Sequence, residues 1–137
     1  MYLSRLLLAI WFFGLTGTAA ELLLLGHFEG WKQVVPLALF GLGLVVGGWY
    51  AARPSQASLT AFRLGLGALL AGGPLGIWFH YRGNVEFEIE MYPGLAGWQL
   101  FKQVMTGATP ALAPGTMVLL ALIGFAATVA RSRQAAS

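Results

Sequence analysis

Four long apolar runs most constrain how this chain of 137 residues can fold. They lie at about residues 4–26, 34–52, 59–80 and 113–131. At a rise of about 1.5 Å per residue, some 20 helical residues cross the ~30 Å hydrocarbon core of a bilayer. A segment inside lipid must satisfy its backbone hydrogen bonds internally, which favours helices. The sequence therefore predicts an all-α integral membrane protein with four transmembrane helices.

The connections and the charge content support one membrane domain. Only 9% of the residues are charged, against roughly 25% in soluble domains. The connections after the first and second runs are short, so neighbouring helices should be antiparallel in an up-down bundle. We interpret residues 1–137 as a single four-span domain that binds the lipid bilayer, and a homo-oligomer or a larger membrane complex is left open. The net charge of +3 is no signal for nucleic-acid binding.

The basic residues are distributed unevenly between the two sides of the membrane. One side carries five of them and no acidic residue: Arg5, Arg53, Arg63, Arg131 and Arg133. The other carries Lys32, Arg82 and Lys102 beside Glu29, Glu86, Glu88 and Glu90. Cytoplasmic loops hold an excess of arginine and lysine. We therefore expect a multi-pass protein of the cell membrane with both termini cytoplasmic and residues 81–112, here called the cap, extracytoplasmic.

The first half of the cap has an alternating pattern. From Val85 to Tyr92, apolar and polar residues alternate, with Glu86, Glu88 and Glu90 in the polar set. A period of two predicts a short β-like strand with one apolar face and one carboxylate face. Turn residues flank it, with Arg82-Gly83-Asn84 before the strand and Pro93-Gly94 after it.

The second half of the cap has a helical pattern. Between Leu95 and Met105, apolar side chains recur at intervals of three or four residues. Such spacing predicts a short helix with one apolar side, which would lie in the membrane interface.

Polar residues that could bind a ligand or a partner protein are few in this chain. Glu21 is the only ionisable residue well inside an apolar run, and an intramembrane carboxylate is costly enough to suggest a function. Helical spacing places it on the side of Gly14, Gly17 and Thr18, which should face a neighbouring helix. The full candidate set is Glu21, Glu29, Arg82, Asn84, Glu86, Glu88 and Glu90.

His27 and His80 are the only histidines, and each ends a helix that runs outward in the predicted topology. Histidine together with carboxylate can hold a divalent metal, and two histidines can hold a haem. No HxxxH, HExxH or ExxH pair is present to support ligation by local spacing. Snorkelling of a lone histidine to the interface is the simpler interpretation.

Small residues predict where helices pack closely. Gly43 and Gly47 form a small-xxx-small pair in the second run, which favours close contact with another helix of this chain or of a second copy. Gly72-Gly73-Pro74 lies inside the third run and predicts a kink there.

Three function classes remain. The chain has no aspartate, no GxSxG and no nucleotide-binding fingerprint, so enzyme activity has little positive support. We favour a non-catalytic subunit or binding module whose extracytoplasmic cap contacts a partner protein or a cation. The alternatives are a metal- or haem-binding redox protein that uses His27 and His80, and a proton- or ion-coupled transporter or channel that uses Glu21.

Overall fold

The computed structural model describes residues 2–107 and 109–136, with side chains as far as Ser132. This part of the chain contains no strand and forms five helices: α1 (Tyr2–Leu24), α2 (Trp31–Ala52), α3 (Gln56–Met91), α4 (Gly97–Met105) and α5 (Gly115–Ala136). By length and composition, α1, α2, α3 and α5 could each cross a membrane. The all-α class and the four candidate spans are therefore confirmed.

The strand predicted over residues 85–92 is wrong. Helix α3 continues through this stretch to Met91, so the third helix is 36 residues long. In a helix, residues two apart point to nearly opposite sides, whereas residues four apart share a side. Glu86 and Glu90 are accordingly exposed and Glu88 is buried, so the three glutamates do not form one carboxylate face.

The turn predicted at Arg82-Gly83-Asn84 is also wrong, since all three residues lie inside α3. The turn at Pro93-Gly94 is confirmed. There, the Leu95 amide donates to the Tyr92 carbonyl at 3.1 Å, and Gly94 has a φ of 105°. A positive φ at the third residue of a turn is the conformation that Pro-Gly favours.

Local hydrogen bonds set two other helix ends. After α1, Gly26 has a φ of 66°, and the His27 amide donates to the Leu22 carbonyl at 2.9 Å. This is a glycine-terminated Schellman ending, which satisfies carbonyls that the helix leaves open. Before α3, the Ser58 amide donates to Ser55 Oγ at 3.1 Å, and the Ser55 amide donates to Ser58 Oγ at 2.9 Å. That reciprocal pair is a capping box.

The chain divides into two compact units. The first contains Met1–Leu70 and Leu119–Ser137. Its core has an aromatic centre, in which Trp11 meets Phe62 edge-on with ring centroids 5.0 Å apart and Phe62 stacks on Tyr50 at 5.1 Å. Leu15, Phe40, Leu66, Leu69 and Leu120 complete the buried set of large side chains.

In this first unit, glycines on α2 leave space into which side chains of α1 pack. A Cβ atom on Gly47 would lie 2.6 Å from the Trp11 ring, and one on Gly43 would lie 3.2 Å from Leu15 Cδ2. The close contact predicted at Gly43 and Gly47 is thus present between two helices of the same chain. Contact between copies stays a prediction.

The second unit is Ala71–Val118. Two glycines of α3 bring the start of α5 close to the α3 backbone. A Cβ atom on Gly73 would lie 2.5 Å from Val118 Cγ2, and one on Gly76 would lie 2.6 Å from Pro114 Cβ. Pro74 lies between these glycines, inside the helix as the sequence predicts.

Candidate functional site

The side chain of Asn84, near the end of α3, binds the later part of the cap. Its Nδ2 atom donates to the Val104 carbonyl at 2.8 Å and to the Thr109 carbonyl at 2.7 Å. Its Oδ1 atom accepts from the Thr109 amide at 3.3 Å. One carboxamide, only 3% exposed, therefore binds both α4 and the loop that follows it.

The bond to Val104 also satisfies one of the carbonyls at the end of α4 that has no partner within the helix. The last four carbonyls of a helix have no partner within the helix. Here the Thr106 amide reaches the carbonyls of Lys102 and Gln103, both at 3.2 Å. Asn84 supplies the donor for Val104 from a different helix. A nine-residue helix is marginal alone, and this tertiary cap stabilises it.

Glu88 lies one turn beyond Asn84 on the same side of α3, since residues four apart share a side. Its side chain is only 4% exposed. Among the described residues, no hydrogen-bond donor reaches its Oε2 atom. A buried, unpaired carboxylate oxygen is costly, because nothing replaces its lost hydration.

Three polar residues lie at intervals of four along one side of α3, here called the docking side: His80, Asn84 and Glu88. His80 lies one turn before Asn84, and its Nδ1 atom is 3.0 Å from the Pro110 carbonyl. A carbonyl can only accept, so Nδ1 carries the hydrogen in this contact. His80 and Asn84 bind the loop after α4, whereas the Glu88 carboxylate has an oxygen with no donor.

The charged residues Arg82, Glu86 and Glu90, in the last turns of α3, point away from that side. Arg82 and Glu86 form an ion pair at 3.2 Å, with side chains 55% and 70% exposed. Such an exposed pair contributes little to stability. Glu90 is exposed one turn further along α3. Of the three glutamates that the sequence singled out, only Glu88 is therefore in an unusual environment.

A row of aromatic rings connects α3 with α4. Trp78 stacks on Tyr81 with centroids 6.4 Å apart, Tyr81 contacts Phe101 at 6.5 Å, and Phe101 stacks on Trp98 at 5.2 Å. Trp98 is 75% exposed and Phe101 is 41% exposed. The row begins where the sequence of α3 changes from apolar to charged residues.

The remaining candidate residues belong to the first unit. Glu21 is exposed near the end of α1, so the expectation that it packs against a neighbouring helix of this chain is wrong. Glu29 is exposed, and its backbone amide donates to Gln33 Oε1 at 2.8 Å. His27 follows the glycine that ends α1 and is half-buried.

Metal or haem binding stays a prediction. Across residues 2–107 and 109–136, no three histidine, aspartate or glutamate side chains are grouped so that they could hold a metal ion. Searches against family models, curated proteins and solved structures each find no match for this chain. The site must therefore be interpreted from its own chemistry.

Proposed function

We propose that the protein is a small non-catalytic integral membrane protein and that its cap is an extracytoplasmic binding module for a positively charged group. That group is either a cation or a basic side chain of a partner protein. The observation that carries the proposal is the buried Glu88 carboxylate, whose Oε2 atom lacks a donor among the described residues. A positive charge beside this oxygen would offset the free energy that its desolvation costs.

The setting of Glu88 favours a preorganised module over a flexible loop. Asn84 holds α4 and the following loop through three hydrogen bonds. A ligand that binds here meets a carboxylate whose surroundings are already ordered, so little conformational entropy is lost on binding. At about 1.5 Å per residue, Glu88 lies about 13 Å along α3 beyond Phe79, the last residue of the apolar part.

The exposed aromatic row would contact the membrane interface. Tryptophan and tyrosine concentrate at membrane–water interfaces, where an apolar ring with a polar edge suits both phases. Trp98 and Phe101 lie on one side of α4, and Gln99 and Gln103 lie on the other by helical spacing. We propose that α4 lies in the interface with Trp98 and Phe101 towards lipid.

The test of the charged site is Glu88→Gln, which keeps the shape of the side chain and removes its charge. In metal-free buffer the variant should unfold at a higher temperature, with a gain of about 2 kcal/mol, because no charge is buried. Titration with Ca²⁺, Mg²⁺ or Na⁺ should stabilise the wild type by about 2.7 kcal/mol at a hundredfold excess over the Kd and should leave Glu88→Gln unchanged. A lysine-rich peptide replaces the cations in a second arm.

Glu90→Gln is the matched control, because Glu90 has the same charge on the same helix and is exposed. Its melting temperature and its response to both ligands should equal those of the wild type. Equal responses in all three proteins would show that the ligand does not use Glu88. A fall in the stability of Glu88→Gln without ligand would contradict the unpaired buried charge.

Topology has its own prediction. The arginine distribution requires that reporter fusions after Ser137 and within residues 55–58 both read as cytoplasmic. A fusion at Gly94, an exposed turn residue of the cap, should read as extracytoplasmic. A non-cytoplasmic signal from either of the first two fusions would reverse the orientation or change the number of spans.

A further inference from the structure

We infer that a cavity in the first unit binds the phosphate of an anionic lipid headgroup. The cavity has a volume of about 220 Å³ and lies between the end of α2, the start of α3 and the end of α5. It is lined by Tyr50, Pro54, Ser55, Gln56, Leu59, Thr128, Arg131 and Ser132. This site does not depend on the proposed role of the cap.

Arg131 is the charged group of this cavity, and an aromatic ring holds it in place. Its guanidinium carbon lies 5.0 Å from the centroid of the Tyr50 ring. Tyr50 is only 4% exposed and stacks on Phe62, so the surface beneath the guanidinium is fixed. A cation over an aromatic ring keeps its N–H groups directed outward for a further partner.

No carboxylate of this chain neutralises Arg131 in the described structure. The ion pair of Arg82 with Glu86 lies elsewhere, in the second unit. The five acidic residues lie at positions 21, 29, 86, 88 and 90, and none of them lines the cavity. A guanidinium has five donors and no acceptor, and its planar fork matches a phosphate. The Arg131 guanidinium is therefore available to an anion from outside the chain.

The other polar groups of the cavity limit what that anion can be. The hydroxyls of Thr128 and Ser132 each donate to a carbonyl of α5 at 2.9 Å. Ser55 is engaged with Ser58. The donors that remain are Arg131, the Tyr50 hydroxyl and the exposed Gln56 carboxamide, opposite an apolar wall of Pro54 and Leu59. One cation, two neutral donors and an apolar wall suit a single phosphate that carries an apolar body.

A ligand of this kind is present where the cavity is predicted to lie. Arg53 and Arg131 belong to the side that the arginine distribution assigns to the cytoplasm. The cytoplasmic leaflet contains anionic lipids, and basic pockets between membrane helices on that side bind their headgroups. We therefore identify the ligand class as a phospholipid with a net negative headgroup.

The test measures lipid binding to the purified full-length protein by native mass spectrometry in neutral detergent. Phosphatidylglycerol is the anionic probe, and phosphatidylcholine of the same acyl chains is the neutral comparison. Arg131→Gln should weaken phosphatidylglycerol binding about tenfold or more, because one charge-assisted contact is lost. Arg63→Gln is the matched control: Arg63 is exposed and does not line the cavity. Its affinity should stay within about twofold of the wild type.

A second variant leaves Arg131 in place. Gln56→Glu puts a carboxylate at an exposed position of the cavity wall, where folding is unaffected, and should also weaken phosphatidylglycerol binding about tenfold by repulsion. If Arg131→Gln does not fold, this variant decides the question. Equal losses in Arg131→Gln and Arg63→Gln would show diffuse attraction and overturn the site, as would unchanged binding to Gln56→Glu.

A titration with inorganic phosphate distinguishes a lipid headgroup from free phosphate as the ligand. Millimolar inorganic phosphate should leave the melting temperature of the wild type unchanged while phosphatidylglycerol raises it, because the apolar wall binds only the lipid. If inorganic phosphate stabilises the wild type as well as the lipid does, and Arg131→Gln loses both effects, the ligand is a free phosphate and the lipid assignment fails.

Discussion

Replacing Asn84 with alanine should release α4 and the loop after it from α3. The change removes the donor to the Val104 and Thr109 carbonyls. Leaving a buried group unsatisfied costs about 1–3 kcal/mol, so we expect local destabilisation of about 3 kcal/mol. Opening of α4 makes the peptide bond after Lys102 accessible. Tryptic cleavage there should become about 100-fold faster, since cleavage follows the population of the open form.

Gln103→Ala is the control for this experiment. Gln103 is exposed on α4, next to Lys102, and alanine is a better helix former than glutamine. Cleavage after Lys102 should therefore be no faster than in the wild type. If Asn84→Ala is cleaved at the wild-type rate, the three hydrogen bonds of Asn84 do not keep α4 bound to α3.

Gly47→Leu should produce the second large effect, in the core of the first unit. Even a Cβ atom at this position would lie 2.6 Å and 2.8 Å from two carbons of the Trp11 ring and 3.3 Å from Phe62. Trp11 is fully buried, so it cannot move aside without disturbing Phe62. Overpacking of this kind costs about 3 kcal/mol. We expect a markedly lower melting temperature in detergent and loss of folded protein on purification.

Gly48→Leu provides the comparison, because a Cβ atom on Gly48 would meet nothing within 4 Å. The two glycines are adjacent on one helix, so helix propensity and hydrophobicity change equally in both variants. Similar melting temperatures for Gly47→Leu and Gly48→Leu would contradict the tight contact with Trp11.

The membrane helices could be predicted because long apolar runs admit few other structures. Their ends were harder to predict. Helix α2 begins at Trp31, three residues before the predicted start. The starts of α2 and α3 depend on short polar segments, where capping bonds decide the boundary more than hydropathy does.

The error at residues 85–92 has a physical cause. Alternation over eight residues fits a strand, but Glu86, Glu88 and Glu90 are poor strand residues and good helix residues. The stretch also follows a helix that already exists, and extending a helix avoids the cost of nucleation. Gly83 and Asn84 suggested a turn because both favour turns. Their neighbours and the bonds of Asn84 override that local preference.

The distinct environment of Glu88 could not be predicted from the sequence alone. Its neighbours Glu86 and Glu90 have the same chemistry, and a strand would have placed all three on one face. Only the helical period separates them, and only the tertiary structure shows that the middle one is buried. The available signal was the spacing of His80, Asn84 and Glu88 at intervals of four, which marks one side of a helix.

The bonds of Asn84 also fix an order of events during biosynthesis. Its two acceptors, Val104 and Thr109, follow it by 20 and 25 residues. A ribosome makes the chain from its amino end, so the last turns of α3 are synthesised before any docking partner exists. Asn84 then has no partner at a time when the third span is already complete. Only after Thr109 has been synthesised can the Asn84 side chain form all three of its hydrogen bonds.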